Sequence, residues 1–167
     1  MEIVKGNLID LAEDGHFDVI VHGCNCFNTM GKGIAKEIRQ RYPQTYVADC
    51  QTIKGDRAKL GNYTSFKTDT FTIVNAYCQY DYNLAGGSKV LFEYDAFRKA
   101  LDKLQVDFPL ARFGFPKIGC GLAHADYAVV KEMIAQFEQD LIDDLHRADP
   151  DADMDEISLC TIVEYKE

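Results

Sequence analysis

Val19-Ile20-Val21-His22-Gly23-Cys24-Asn25-Cys26-Phe27-Asn28-Thr29-Met30-Gly31-Lys32-Gly33-Ile34-Ala35 is the stretch on which the fold turns. Its first three residues are apolar, β-branched and non-alternating, the pattern of a strand covered on both faces. A polar, glycine-bearing loop follows, running from Gly23 to Gly33. Beyond it Ile34, Ile38 and Tyr42 fall four apart on one helical face, and Pro43 ends that segment. The order is therefore strand, glycine loop, helix. In open α/β sheets ligands sit outside the carboxyl ends of strands, and a helix N-terminus there offers unpaired N–H groups and the positive end of its dipole to an anion. Glycine lets backbone approach a phosphate oxygen closely, although many strand-to-helix turns use it for steric reasons alone. GxxxxGK[ST] is absent, and GxGxxG fails because Lys36 occupies the third position.

A second copy of the pattern lies downstream. Arg112 to Ile118 reads as a strand end, Gly119 to Ala125 as a loop, and Asp126 as the N-cap of a helix with Val130, Met133, Ile134, Phe137 and Leu141 on one side. Between the two units the pattern predicts a short helix around Tyr46 to Cys50. A strand pair follows, Gly61 to Thr68 and Phe71 to Tyr77. A helix from Lys89 to Val106 comes next, with Ser88 as its N-cap and Leu91, Tyr94, Phe97, Leu101 and Leu104 inward. Ile157 to Tyr165 is a last apolar strand. Alternating strands and helices predict an α/β fold with a central mixed sheet between helical layers. Two glycine loops facing one another would hold a diphosphate between them.

The chain of 167 residues, 47% hydrophobic, fits one domain spanning residues 1–167. No apolar run suits a membrane span or a leader, so a cytoplasmic location is expected and no membrane partner. Six scattered cysteines without a CxxC pair read as buried thiols and not as a disulfide framework. Cys24 and Cys26 form a CxC near His22, but no metal site and no cofactor are expected. A net charge of −9 makes nucleic-acid binding an unlikely function class, since that normally needs a basic surface. The run from Asp149 to Glu156 reads as a solvated acidic loop.

Val21 to Ala35, Phe115-Pro116-Lys117-Ile118-Gly119-Cys120-Gly121-Leu122 and the opening Lys5-Gly6-Asn7-Leu8 together resemble the macro domain family, with Asn7 where that family has Asp. The H-x-C-N-C…G-x-G-I-A pattern followed by Arg41-Tyr42-Pro43 is most similar to the ADP-ribose-1″-phosphate phosphatases of fungi and phage. The resemblance implies a three-layer α/β/α fold and a ligand that is ADP-ribose or its 1″-phosphate, with ADP-ribosylated macromolecules as a further partner class. It implies that Asn7 and the Leu8 backbone meet adenine, with Tyr165 packing against it. Asn28, Met30, Gly31, Lys32, Gly33 and Ile34 would form the first phosphate loop. Gly119, Cys120, Gly121, Leu122, Ala123 and His124 would form the second. Two hydrolase signatures of the family are missing: no Asp follows Gly33 in Ile34-Ala35-Lys36, and no Lys occurs in Asn75 to Tyr80. That points to dephosphorylation of ADP-ribose 1″-phosphate. The alternatives are an ADP-ribose-binding module without chemistry, or removal of ADP-ribose from protein or nucleic acid.

His22, Asn25 and Asp126 are the catalytic candidates. A histidine titrating near neutrality serves as base, acid or nucleophile; its bland reading is a buried ring satisfied by the backbone. If the strand stays regular, His22 and Asn25 face opposite sides of the sheet. Asn25 has an amide suited to a ribose diol, or to an Asx-turn. Asp126 is a general acid, an N-cap, or both.

Overall fold

The computed structural model describes residues 1–82, 89–154 and 157–165. Six strands form one sheet: β1 (Glu2–Gly6), β2 (Val19–Cys24), β3 (Tyr63–Lys67), β4 (Thr72–Tyr77), β5 (Phe113–Phe115) and β6 (Cys160–Tyr165). Their order is β1-β6-β5-β2-β4-β3. Every neighbouring pair is parallel except β3 with β4, so the sheet is mixed, as expected.

Successive side chains of β2 divide between two cores. Val19 and Val21 join Val74, Ala76, Phe97, Leu101, Ile134 and Phe137, beneath α4 (Tyr94–Asp107) and α5 (Tyr127–Ala148). Ile20 and Cys24 join Ile9, Ile38, Ile73 and Tyr77, beneath α1 (Leu8–Glu13), α2 (Gly33–Arg41) and α3 (Pro43–Cys50). Two apolar faces on one sheet demand two helical layers, which gives the three-layer α/β/α sandwich.

Several boundaries differ from the sequence reading. Pro43 ends α2 but also opens α3 as its first residue, where its missing N–H costs nothing. The long central helix begins at Tyr94 and not at Lys89. Leu91 and Phe92 instead donate their N–H groups to the Ala123 carbonyl, and Glu93 donates to Cys78, which ties this segment to the second glycine loop. The expected cap Ser88 lies outside the described residues. Strand β5 shrinks to three residues because Pro116 has no N–H for the ladder. Strand β1 and helix α1 were not foreseen as elements. Asn7 makes that turn, its Oδ1 accepting the N–H groups of Ile9 and Asp10 at 3.0 Å each. Among the described residues no helix is long and apolar enough to cross a membrane.

Candidate functional site

Strands β5 and β2 are neighbours and run parallel, so the loops leaving their carboxyl ends emerge side by side. Both line one cleft of ≈ 1040 Å³. It extends from Asn7 and Tyr165, beyond β1 and β6, across the two loops to Gln79 and Tyr82, beyond β4. This is an ample volume for an extended ligand.

The first loop is held by its own side chains. Asn25 Oδ1 accepts the Phe27 N–H at 2.8 Å, and its Nδ2 donates to Thr29 Oγ1 at 2.7 Å. The Asx-turn reading of Asn25 is therefore met, and the residue also lines the cleft. Asn28 has φ +57°, and its Oδ1 accepts Lys59 Nζ at 2.7 Å and Thr52 Oγ1 at 3.2 Å. Asn28 is turned away from the cleft, contrary to the expectation that it binds ligand; it fastens the loop to the segment behind it. Met30, Gly31, Lys32, Gly33 and Ile34 do line the cleft. Lys32 stands at the N-cap of α2 with no side-chain cap bond, and among the described residues the N–H groups of 31–35 have no protein acceptor.

The second loop is held by its backbone. Cys120 N–H donates to Lys117 O at 3.1 Å, His124 to Gly121 at 3.1 Å and Ala125 to Gly119 at 2.8 Å. Gly119 has φ +75°, and a Cβ there would lie 2.3 Å from Phe92 Cδ1, so no other residue fits. Gly119, Cys120, Gly121, Leu122 and Ala123 line the cleft. The N–H groups of Gly121, Leu122 and Ala123 have no protein acceptor among the described residues. His124 is exposed in the left-handed region at φ +55° and does not line the cleft, contrary to expectation. Asp126 is likewise no part of it. Its carboxylate caps α5 by accepting the Ala128 N–H at 2.9 Å, so the N-cap role is met.

His22 is corrected most. β2 stays regular through Cys24, so strand parity turns His22 to the α1–α3 side, where it is 1% exposed and outside the cleft. Its Nε2 lies 2.6 Å from Asn75 Oδ1. Asn75 Nδ2 donates to Thr45 O and Thr64 Oγ1, so Oδ1 is the acceptor and His22 Nε2 carries the proton. Burial lowers the His22 pKa to about 4, against a smaller opposing effect of the Asn75 bond, so the ring is neutral at pH 7. His22 is buried as the bland reading expected, but its partner is the Asn75 side chain and not the backbone.

Two cleft-lining carboxylates escaped the sequence reading, Glu37 and Asp49. Glu37 lies one turn into α2, and Asn7 Nδ2 donates to its Oε1 at 3.0 Å. An i, i+4 inspection from Gly33 would have reached it. Asp49, 1% exposed, ends α3 and accepts the Tyr77 O–H at 2.7 Å. Burial raises its pKa, while the Tyr77 bond and nearby Lys59 act the other way. No local sequence signal marks Asp49, because α3 folds back onto β4 only in three dimensions.

The sequence profile of the Macro domain family matches residues 21–134, which include both loops. The 17.5 kDa protein of the tk–vs intergenic region of Enterobacteria phage T4 is 29% identical over 156 residues, covering 84% of this chain and 92% of that one. The ADP-ribose 1″-phosphate phosphatase of Aspergillus oryzae is 44% identical over 43 residues, only 26% of this chain and 20% of the fungal one. The Trypanosoma brucei macrodomain solved in complex with ADP-ribose shares the fold at a TM-score of 0.65, with 13% identity over 98% of this chain and 63% of that one. With the profile, the sheet order and the paired loops in agreement, this chain belongs to the macro domain family.

Proposed function

We propose that the cleft binds ADP-ribose, with the diphosphate between the two glycine loops, and that the protein dephosphorylates ADP-ribose 1″-phosphate. One observation carries the binding reading: N–H groups of 31–35 and of Gly121, Leu122 and Ala123, without a protein acceptor among the described residues, border the same cleft. Most of them are open to solvent, so they are free to donate to an anion from both sides. The solved relative with ADP-ribose and the fungal phosphatase segment support the choice of ligand.

The reaction is the finer part of the proposal. With His22 sealed away, Asp49 replaces it as the candidate proton donor. It is among the residues that line the cleft, although only 1% exposed, and it accepts the Tyr77 O–H at the carboxyl end of β4. Burial pushes its carboxyl above the usual carboxylate range, against the opposing effects of the Tyr77 bond and Lys59. Water attacks the terminal phosphorus, the P–O1″ bond breaks, and O1″ takes the proton from Asp49. The proton lost by water then restores the acid. Loop amides hold the non-bridging oxygens throughout.

Calorimetry with ADP-ribose tests binding, and phosphate release from ADP-ribose 1″-phosphate tests the chemistry. Saturable binding with turnover is expected, and Asp49→Asn should lower kcat by about 100-fold or more. Binding without turnover favours a recognition module, a reading supported by the lack of any histidine among the described cleft residues. Failure to bind ADP-ribose overturns both.

A further inference from the structure

A chain of hydrogen bonds crosses the sheet beneath α3 and ends on a residue that lines the cleft. His22, Asn75 and Thr64 are register partners on the neighbouring strands β2, β4 and β3, so their side chains stand abreast on one face. Tyr77 follows Asn75 by two residues on β4 and shares that face. His22 Nε2 donates to Asn75 Oδ1 at 2.6 Å, and Asn75 Nδ2 donates to Thr64 Oγ1 at 3.1 Å. Thr64 Oγ1 lies 2.9 Å from the Tyr77 hydroxyl, which donates to Asp49 Oδ1 at 2.7 Å. Tyr77 has a single O–H and gives it to Asp49, so Thr64 is the donor to Tyr77. Every donor therefore points towards Asp49. The Thr45 carbonyl fixes this sense: it accepts Asn75 Nδ2 at 3.0 Å, and a reversed amide would set oxygen against oxygen. His22, Asn75, Tyr77 and Asp49 are each at most 1% exposed, and only Thr64 is half-buried.

We infer that this one-way chain makes Tyr77 the positioning residue of Asp49: it keeps Oδ1 an acceptor, so that Oδ2 carries the proton exchanged with the cleft. Oδ2 has no hydrogen-bond partner among the described residues. Tyr77 takes the Thr64 hydrogen on its own oxygen, so Oδ1 has no route for handing a proton back along the chain. Aligned bonds in a low-dielectric setting polarise one another, which strengthens the last donor, the one that meets the carboxylate. Burial raises the Asp49 carboxyl and the Tyr77 bond opposes it, as does nearby Lys59, so the acid can still release its proton. Two other titratable groups face Asp49. Cys24 on β2, raised by burial, and Tyr46 on α3, raised by its bond to Cys50 and by burial, are both neutral at pH 7. The inference deepens the proposed reaction and rests on Asp49 as its acid.

Carbon-13 NMR of the Asp49 carboxyl, identified by its loss in Asp49→Asn, reads the chain without ligand or turnover. Tyr77→Phe should move the Asp49 titration to higher pH, and Thr64→Val should move it the same way by less. His22→Leu should raise it too, whereas His22→Gln keeps an N–H for Asn75 and should restore the wild-type curve. A role in packing alone would alter stability and leave these titrations superimposed. In phosphate release from ADP-ribose 1″-phosphate the acid must start protonated, so activity falls as pH rises through its pKa. That fall should shift to higher pH in Tyr77→Phe. An Asp49 titration unmoved in both Tyr77→Phe and Thr64→Val overturns the inference. A moved titration in a protein that releases no phosphate supports the chain and overturns the reaction instead. Thr64→Val changes one hydroxyl on the edge strand β3, so the test stands even where Tyr77→Phe fails to fold.

Discussion

The two strand–loop–helix units are built alike in sequence and held in different ways. In the first, side chains brace the loop: Asn25 to Thr29 and Phe27, Asn28 to Lys59 and Thr52, and Tyr46 O–H to the Asn28 carbonyl. The helix that follows has no capping side chain, and its first amides open on the cleft. In the second, backbone bonds and one close-packed ring shape the loop, while Asp126 closes the helix N-terminus outside the cleft. The sequence reading gave both helices the same anion-binding role. Only the first amides of α2 line the cleft, and the second unit brings loop amides to it instead. The same outline can thus fail in two ways, by losing a polar brace or by losing a glycine.

Gly119→Ala should produce the largest change. Positive φ and the Phe92 ring both oppose the methyl group, and a loss of about 3 kcal/mol or more in urea unfolding is expected. A near-neutral result would mean that the second loop is not set by packing at all. Acid should next separate the units, because only β2 carries a buried histidine. His22 titrates near 6.5 when unfolded and near 4 when folded, so its contribution is complete above 6.5 and is lost as pH falls from 6.5 to 4. About 3 kcal/mol is at stake, and His22→Gln should flatten that part of the stability–pH curve. Lys59→Met removes the two bonds from Nζ to Asn28 and Thr52 and should cost about 2 kcal/mol. Hydrogen exchange should quicken in 28–32 and stay unchanged in 119–125; equal effects would erase the contrast between the loops. Asp126→Ala should cost about 1 kcal/mol through the lost cap, with ADP-ribose affinity unaltered. A fall in affinity would bring Asp126 back into the site.

Much of the fold was legible because its signals are local. The apolar run at Val19 to Val21, the four-residue spacing of Ile34 and Ile38, and the stripe Val130, Ile134, Phe137 and Leu141 each declare their element, and all but the half-buried Ile34 are buried. Legibility failed where partners are distant. Nothing near His22 announces that Asn75 will accept its N–H, or that Thr45 and Thr64 will fix that asparagine. The opposite strand parity of His22 and Asn25 was visible in advance, yet both were kept as catalytic candidates; β2 stays regular through Cys24 and leaves only Asn25 at the cleft. Glu37 was hidden by stopping at Lys36, one residue short of the position a helical turn brings back over Gly33. Asp49 became part of the cleft only through the fold of α3 against β4.

Strand β6 lies between β1 and β5, pairing Glu2 with Thr161 on one side and Phe113 with Cys160 on the other. Strand β1 precedes β6 by nearly the whole described sequence, yet β6 is its one sheet neighbour among the described strands. Until β6 is in place, β1 is unpaired and β5 has an open edge. Tyr165 and Asn7 come together only at that step, so β6 completes the cleft. Such distant pairing is slow to form and leaves exposed edges meanwhile. Ligand competence and sheet closure thus arrive as one event, and any arrest before Cys160 yields a chain that neither binds nor hides its edge.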